Sequence, residues 1–129
     1  DSSMTTERKI RITAGEVSAE AVLNDSPTAT KIWEALPIEG RGNTWGEEIY
    51  FSIPVEAKQE RDAREIVAVG ELGYWPPGTA FCIFFGRTPA STDDRPRAAS
   101  AVNFIGRIQG DATAYKSVAS GTRVRLERA

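Results

Sequence analysis

The chain has 129 residues, 40% of them hydrophobic and 26% charged, a composition that excludes a disordered chain and predicts one globular domain. Its 16 basic and 18 acidic residues give a formal charge of -2, without the basic stripe that binding to a nucleic acid requires. The longest apolar run, residues 81–85, is too short to cross a bilayer. We therefore expect neither a nucleic-acid partner nor a membrane partner.

The N-terminal residues are polar and show no signal-peptide pattern. The only methionine is Met4, so we interpret residues 1–3 as a remnant of expression that precedes the natural start. We assign residues 1–8 to a disordered or expression-derived N-terminus and residues 9–129 to a single domain. The protein is expected to be cytoplasmic.

The first predicted elements are a β-hairpin and a helix. Residues 9–13 and 17–24 alternate apolar and polar side chains on either side of a short turn, as in two half-buried strands. Residues 27–36 instead carry apolar side chains at the spacing of one helix face, with Ser26 as a candidate N-cap and Pro37 as the stop. We predict one principal helix over residues 27–36.

Short strands and loops are predicted for the rest of the chain. The expected strands are residues 45–53, 65–69, 80–85, 101–108 and 122–127. The expected loops are residues 38–44, 56–64, 70–78 and 86–97. Because the strand at 80–85 is apolar on both faces, we expect it to be central, with the helix as the suggested cover for one face. These elements predict a mostly β protein, a closed or nearly closed β-barrel capped by the helix, with an open β-sandwich as the alternative.

A family resemblance rests on three stretches of sequence. In the same order, the chain contains NTWGEEIYFSIPV, GELGYWPPGTAFCIFFGRTP and VNFIGRI, which resemble the bacterial and archaeal cyclophilin-like family of small single-domain proteins of unassigned function. The resemblance covers residues 9–127 and implies a cyclophilin-like β-barrel. It implies no activity, because none is assigned to this family, and the catalytic-groove pattern of true cyclophilins is not present. Cyclophilin-type prolyl isomerase activity is therefore not expected.

The residue types exclude several chemistries. Without histidine, the chain has no serine–histidine or cysteine–histidine nucleophile system and no imidazole zinc site. The single cysteine, Cys82, lies in an apolar strand and is expected to be buried and unreactive. Asp93 and Asp94 form the densest acidic pair outside the strands, and we interpret them as solvated charges beside Arg95 and Arg97. We therefore expect no metal and no cofactor.

The candidate ligand-binding residues are one acid, four aromatic residues and two arginines: Arg41, Trp45, Glu47, Tyr50, Tyr74, Trp75 and Arg87. Glu47 shares a strand face with apolar residues, so it needs an ion pair with an arginine, a position just beyond the core, or a pocket in which to bind a ligand or transfer a proton. The rings either pack in the core or stack on a ligand. Arg87, ahead of Arg41 and Arg107, is the candidate to hold an anion. We predict that Glu47, Trp75 and Arg87 contribute to one concave surface.

Three classes of function remain open at this point. The first is a binding module with a partly aromatic pocket, which takes a peptide segment or a small molecule. Anionic small molecules are among the ligands considered. The second is an enzyme, either a prolyl isomerase or a small-molecule enzyme acting through Glu47 and an arginine. The third is a structural or assembly protein without pocket chemistry.

Overall fold

A computed structural model describes residues 8–129, so residues 1–7 of the predicted N-terminal segment lie outside the described residues. The described chain is mostly β, with one principal helix, α1, at Pro27–Ala35. Its ten strands are β1 Arg8–Ala14, β2 Val17–Leu23, β3 Ile38–Arg41, β4 Asn43–Thr44, β5 Glu48–Ser52, β6 Arg64–Ile66, β7 Glu71–Trp75, β8 Ala80–Phe84, β9 Arg97–Ile108 and β10 Arg123–Arg128. Short 3-10 helices cover Pro76–Gly78 and Ala112–Ser117.

The strands form one antiparallel sheet in the order β3-β10-β1-β2-β9-β7-β8-β5-β4, with β6 paired to β9. The predicted hairpin is present, because β1 and β2 pair from Arg8 opposite Leu23 to Ala14 opposite Val17. Strand β8 lies between β7 and β5, which confirms its predicted interior position in the sheet.

The helix follows its local signals. The Ser26 side chain accepts a hydrogen bond from the Ala29 backbone N–H at 3.2 Å, Pro27 occupies the first turn, and the helix ends two residues before Pro37. Its buried face places Ala29 and Ile32 in the main core. Among residues 8–129, no helix combines the length and apolar character needed to cross a membrane.

The sheet buries side chains on both faces. One face, with the buried helix residues, forms the main core around Ile49, Phe51, Phe81 and Ile83. The opposite face forms a second cluster of Val67, Ala80, Cys82, Phe84, Ala98 and Val102. The suggestion that the helix covers the second face of β8 is therefore wrong. That face instead packs against side chains of β9 and of the segment that follows β6.

Two predicted loops are strands. Residues 38–44 form β3 and β4, and residues 70–78 contain β7. The glycines in them suggested turns, but two of them serve close packing within strands. A Cβ on Gly40 would lie 2.6 Å from the Phe51 ring, and one on Gly73 would lie 2.8 Å from Cγ2 of Val102. Glycine is needed there because a neighbouring side chain occupies the space.

Candidate functional site

A cavity of about 250 Å³ lies on the second face of the sheet. It is lined by three aromatic residues, an acid, a thiol and three small or branched apolar residues: Trp45, Tyr50, Trp75, Glu48, Cys82, Ala98, Ala99 and Val102. These side chains come from β5, β7, β8 and β9 and from the turn before β5. The volume equals roughly eight water molecules, enough for a small organic molecule.

A turn before β5 sets where this strand begins. Gly46 has a φ of +62°, a left-handed conformation that favours glycine, and the Trp45 N–H donates to the Glu48 carbonyl at 2.9 Å. The strand therefore begins at Glu48 instead of Trp45. Because alternate residues of a strand face opposite sides, Glu48 and Tyr50 face the cavity while Ile49 faces the main core.

Glu48 is a buried acid with an unpaired oxygen. Only 5% of the residue is exposed, and its Oε1 atom has no hydrogen-bond partner among the described residues. Burial raises the pKa of this carboxyl from 4.5 to about 7, and the neighbouring Cys82 thiol offsets a smaller part of that rise. Glu48 therefore changes charge near neutral pH, and the side chain that lines the cavity carries a buried, unsatisfied acceptor.

Trp75 forms a fixed wall of the cavity. Its indole N–H donates to the Ser100 hydroxyl of β9 at 2.6 Å. Its ring also packs against Gly78, where a Cβ would approach the ring to 2.8 Å. With both its polar atom and one edge of its ring held, Trp75 presents a preformed surface.

The Cys82 thiol lies beside Glu48 in the second cluster and is 1% exposed. Burial raises the pKa of Cys82 well above its usual value, and the neighbouring Glu48 carboxylate raises it further. The reactive thiolate form is therefore scarce at neutral pH.

We expect the native thiol to react with an aromatic disulfide reagent at pH 7.5 at least about a hundredfold more slowly than the thiol of the protein unfolded in guanidinium chloride. Because the chain has a single cysteine, the absorbance change reports Cys82 alone. Similar labelling rates for the native and the unfolded protein would contradict the burial of this side chain.

The structure brings three of the seven candidate residues into the cavity: Trp45, Tyr50 and Trp75. The other four are absent from its lining: Arg41, Glu47, Tyr74 and Arg87. Arg41 and Arg87 are exposed, and Tyr74 is buried in the main core, where its hydroxyl donates to the Val55 carbonyl at 2.7 Å. The cavity therefore contains three of the four predicted rings and none of the predicted charged residues.

Glu47 and Arg87 are absent from the cavity that Trp75 lines, so this cavity does not include the predicted shared surface. Its carboxylate is 3.4 Å from the Lys116 ammonium and accepts a hydrogen bond from the Arg87 N–H at 3.2 Å. The side chain lies against Gly86, where a Cβ would come within 2.0 Å of Oε1 of Glu47. Glu47 thus has an ion-pair partner, a lysine instead of an arginine, and its neighbour Glu48 occupies the cavity.

The remaining charged candidates have local partners. Arg107 pairs with Glu71 at 3.0 Å, and Asp93 pairs with Arg95 at 2.6 Å. Hydrogen bonds from Arg95 lower the pKa of Asp93 to about 2. Across residues 8–129, no group of three or more aspartate, glutamate or cysteine side chains is placed to hold a metal ion.

Comparison with models of protein families identifies the family of this chain. The model of the family described as cyclophilin-like matches residues 8–127, nearly the whole chain. The chain belongs to the cyclophilin-like family. This confirms the resemblance found in the sequence. The cyclophilin-like protein is also similar to a solved structure, the solution structure of the hypothetical protein AF2241 from Archaeoglobus fulgidus, with 42% identity, a TM-score of 0.80 and 95% of each chain covered. No curated protein matches it.

Proposed function

We propose that this cyclophilin-like protein is a binding module that takes a small molecule in the cavity beside Glu48. The observation that carries the proposal is the buried Oε1 atom of Glu48, which belongs to a cavity-lining side chain and has no hydrogen-bond partner among the described residues. Leaving such an acceptor unpaired costs about 1–3 kcal/mol, and folded proteins satisfy most buried polar groups. A ligand that donates a hydrogen bond here recovers that energy.

The aromatic walls favour a flat or compact apolar ligand body. Trp45, Tyr50 and Trp75 supply ring surfaces. The small side chains of Ala98 and Ala99, both on β9, leave space between that strand and the rings. A mostly apolar cavity with one well-placed polar group is the usual composition of a small-molecule site. The volume of about 250 Å³ suits a single ring with a short substituent better than a peptide segment.

The charged residues that line the cavity also bear on two alternatives, an anionic ligand and prolyl isomerase activity. No arginine is among the described residues that line the cavity, so an anionic ligand has no guanidinium partner there. Cyclophilin-type catalysis requires a donor such as a guanidinium beside an apolar groove, to stabilise the twisted X-Pro bond. We therefore still expect little or no prolyl isomerase activity.

A second candidate function is a small-molecule enzyme in which Glu48, in place of Glu47, transfers a proton. The observation that favours it is the pKa of Glu48, raised by burial to about 7, where a carboxyl serves well as a general acid or base. Such an enzyme would use the same cavity, so binding of a small molecule is the step that both functions share.

The proposal includes closure of the sheet into a barrel, which would give the cavity a rigid floor. The two ends of the strand order, β3 and β4, are separated in the chain by Gly42 alone. Strand β3 pairs with β10, and β4 pairs with β5. The Gly42 N–H donates to the Thr122 carbonyl at 2.8 Å, and a Cβ on Gly42 would lie 3.0 Å from Ile49. One continuous segment thus joins both ends of the sheet.

The proposed function is tested with single-ring probes, namely phenol, indole, benzyl alcohol and benzylamine, in ligand-observed NMR with the whole chain. Ala99 is exposed and lines the cavity, so Ala99→Leu should narrow the cavity without disturbing the core. We expect at least one probe to bind with a millimolar or lower Kd, and Ala99→Leu to weaken it about tenfold or more.

The matched control is Ala119→Leu, the same change at an exposed residue outside the cavity lining, which should leave probe binding unchanged. If none of the four probes binds, or if Ala99→Leu binds them as well as the unaltered chain does, the proposed function is wrong.

A further inference from the structure

We infer that the ligand of this cavity is a small organic cation, a protonated amine or amidine on an apolar body, whose charged group pairs with the Glu48 carboxylate between the aromatic side chains. The inference rests on the proposed function and specifies the chemical class of the ligand. It follows from the orphaned carboxylate oxygen, the charges that line the cavity and the rings around them.

The ionisable groups of the lining are acidic. They are Glu48 and Tyr50 on β5 and Cys82 on β8, while β7 contributes Trp75 and β9 contributes only uncharged residues. A ligand anion would face the Glu48 carboxylate without a basic side chain in the described lining. A purely apolar ligand would leave Oε1 of Glu48 buried and unpaired. A cation supplies both the missing donor and the missing countercharge.

The aromatic side chains favour the same ligand class. A cation held near the faces of Trp45, Tyr50 or Trp75 is attracted by the negative charge of the ring face, and this attraction strengthens when water is excluded. Tryptophan provides the strongest such interaction, and the cavity has two. The hydrogen bond from Trp75 to Ser100 holds one of these rings in place before any ligand enters.

Binding of a cation must also depend on pH, because a protonated Glu48 offers no negative charge. When a cation enters at neutral pH, the carboxyl releases its proton to solvent and the ion pair forms. Burial keeps the neighbouring Cys82 thiol neutral, so Glu48 is the group that exchanges the proton. With the pKa of Glu48 at about 7, affinity should be full at pH 8 and about thirtyfold weaker at pH 5.5.

The test compares benzylamine, benzyl alcohol and benzoate, three probes of similar size that are cationic, neutral and anionic at pH 8. Binding is measured by NMR titration of the whole chain and of Glu48→Gln. We expect benzylamine to bind at least tenfold more tightly than benzyl alcohol, and benzoate to bind more weakly than either. Glu48→Gln should bind benzylamine no more tightly than benzyl alcohol. Its affinity for benzylamine should also be the same at pH 8 and at pH 5.5.

Glu47→Gln is the matched control, because it removes the neighbouring carboxylate, which pairs with Lys116 outside the cavity lining. It should keep both the preference and the pH dependence. If benzyl alcohol binds as tightly as benzylamine, or if Glu48→Gln keeps the preference, the cation inference is overturned while the proposed function stands. If none of these probes and none of the earlier panel binds, both are overturned. Circular dichroism establishes that each variant is folded.

Discussion

Replacing Glu48 with glutamine is expected to raise the free energy of unfolding at pH 9 by about 3 kcal/mol and to change it little at pH 4. Burial raises the pKa of Glu48 in the folded chain to about 7, against an ordinary value of 4.5. Between these values the folded state keeps a proton that the unfolded state releases, so rising pH destabilises the native protein. The penalty is absent below about pH 4.5 and complete above about pH 7, and glutamine does not incur it.

Urea unfolding followed by tryptophan fluorescence at pH 4 and pH 9 measures this difference. Glu47→Gln serves as the control, since Glu47 is 38% exposed in a pair with the half-exposed Lys116, and such a pair contributes little to stability. The stability difference between Glu48→Gln and the unaltered chain should therefore depend on pH. The same difference at both pH values would show that Glu48 ionises normally in the folded protein.

A stabilising effect of this size would also bear on function. An acid that lowers stability at physiological pH is a feature expected at a binding or catalytic site and has no value in a purely structural core. If the variant gains stability and loses the preference for benzylamine together, the same carboxyl accounts for both effects.

The second large effect is expected at Asn103, whose change to alanine should lower the free energy of unfolding by about 3 kcal/mol. Asn103 is fully buried on β9. Its Oδ1 accepts from the Glu60 N–H at 2.7 Å, and its amide group donates to the Thr28 hydroxyl at 3.0 Å and the Lys58 carbonyl at 2.9 Å. Alanine would leave these partners without their hydrogen bonds and open a cavity.

These contacts join three parts of the fold, namely β9, the start of α1 and the irregular segment before β6. Glu60 completes the network, because its carboxylate accepts from both the N–H and the hydroxyl of Thr28. Asn43→Ala, at an exposed residue of β4, is the control and should change stability by less than about 0.5 kcal/mol. A urea midpoint for Asn103→Ala that matches this control would show that Asn103 does not hold these segments together.

Elements specified by nearby residues were predictable from the sequence. The helix begins with the Ser26 cap and Pro27 and stops before Pro37, and all of these signals act within one or two turns. The hairpin of β1 and β2 needed only alternation on either side of a tight turn. The loop predictions at 38–44 and 70–78 failed because a glycine in a strand and a glycine in a turn look alike until the opposing side chain is known.

The sequence by itself determined the family, the mostly β composition and the single principal helix, because these depend on local pattern or on characteristic strings of residues. It also named the three rings that line the cavity, but only within a longer set of candidates. Only the tertiary structure decided which acid lies among those rings. Alternation separates Glu47 from Glu48 but does not say which face is covered. The apolar character of β8 on both faces indicated a second cover, yet the pairing of Glu48 with Phe84, 36 residues away, is a long-range contact. Glu48 is buried in a cavity that side chains of β9 also line, and this burial raises the pKa of what would otherwise be an ordinary strand residue.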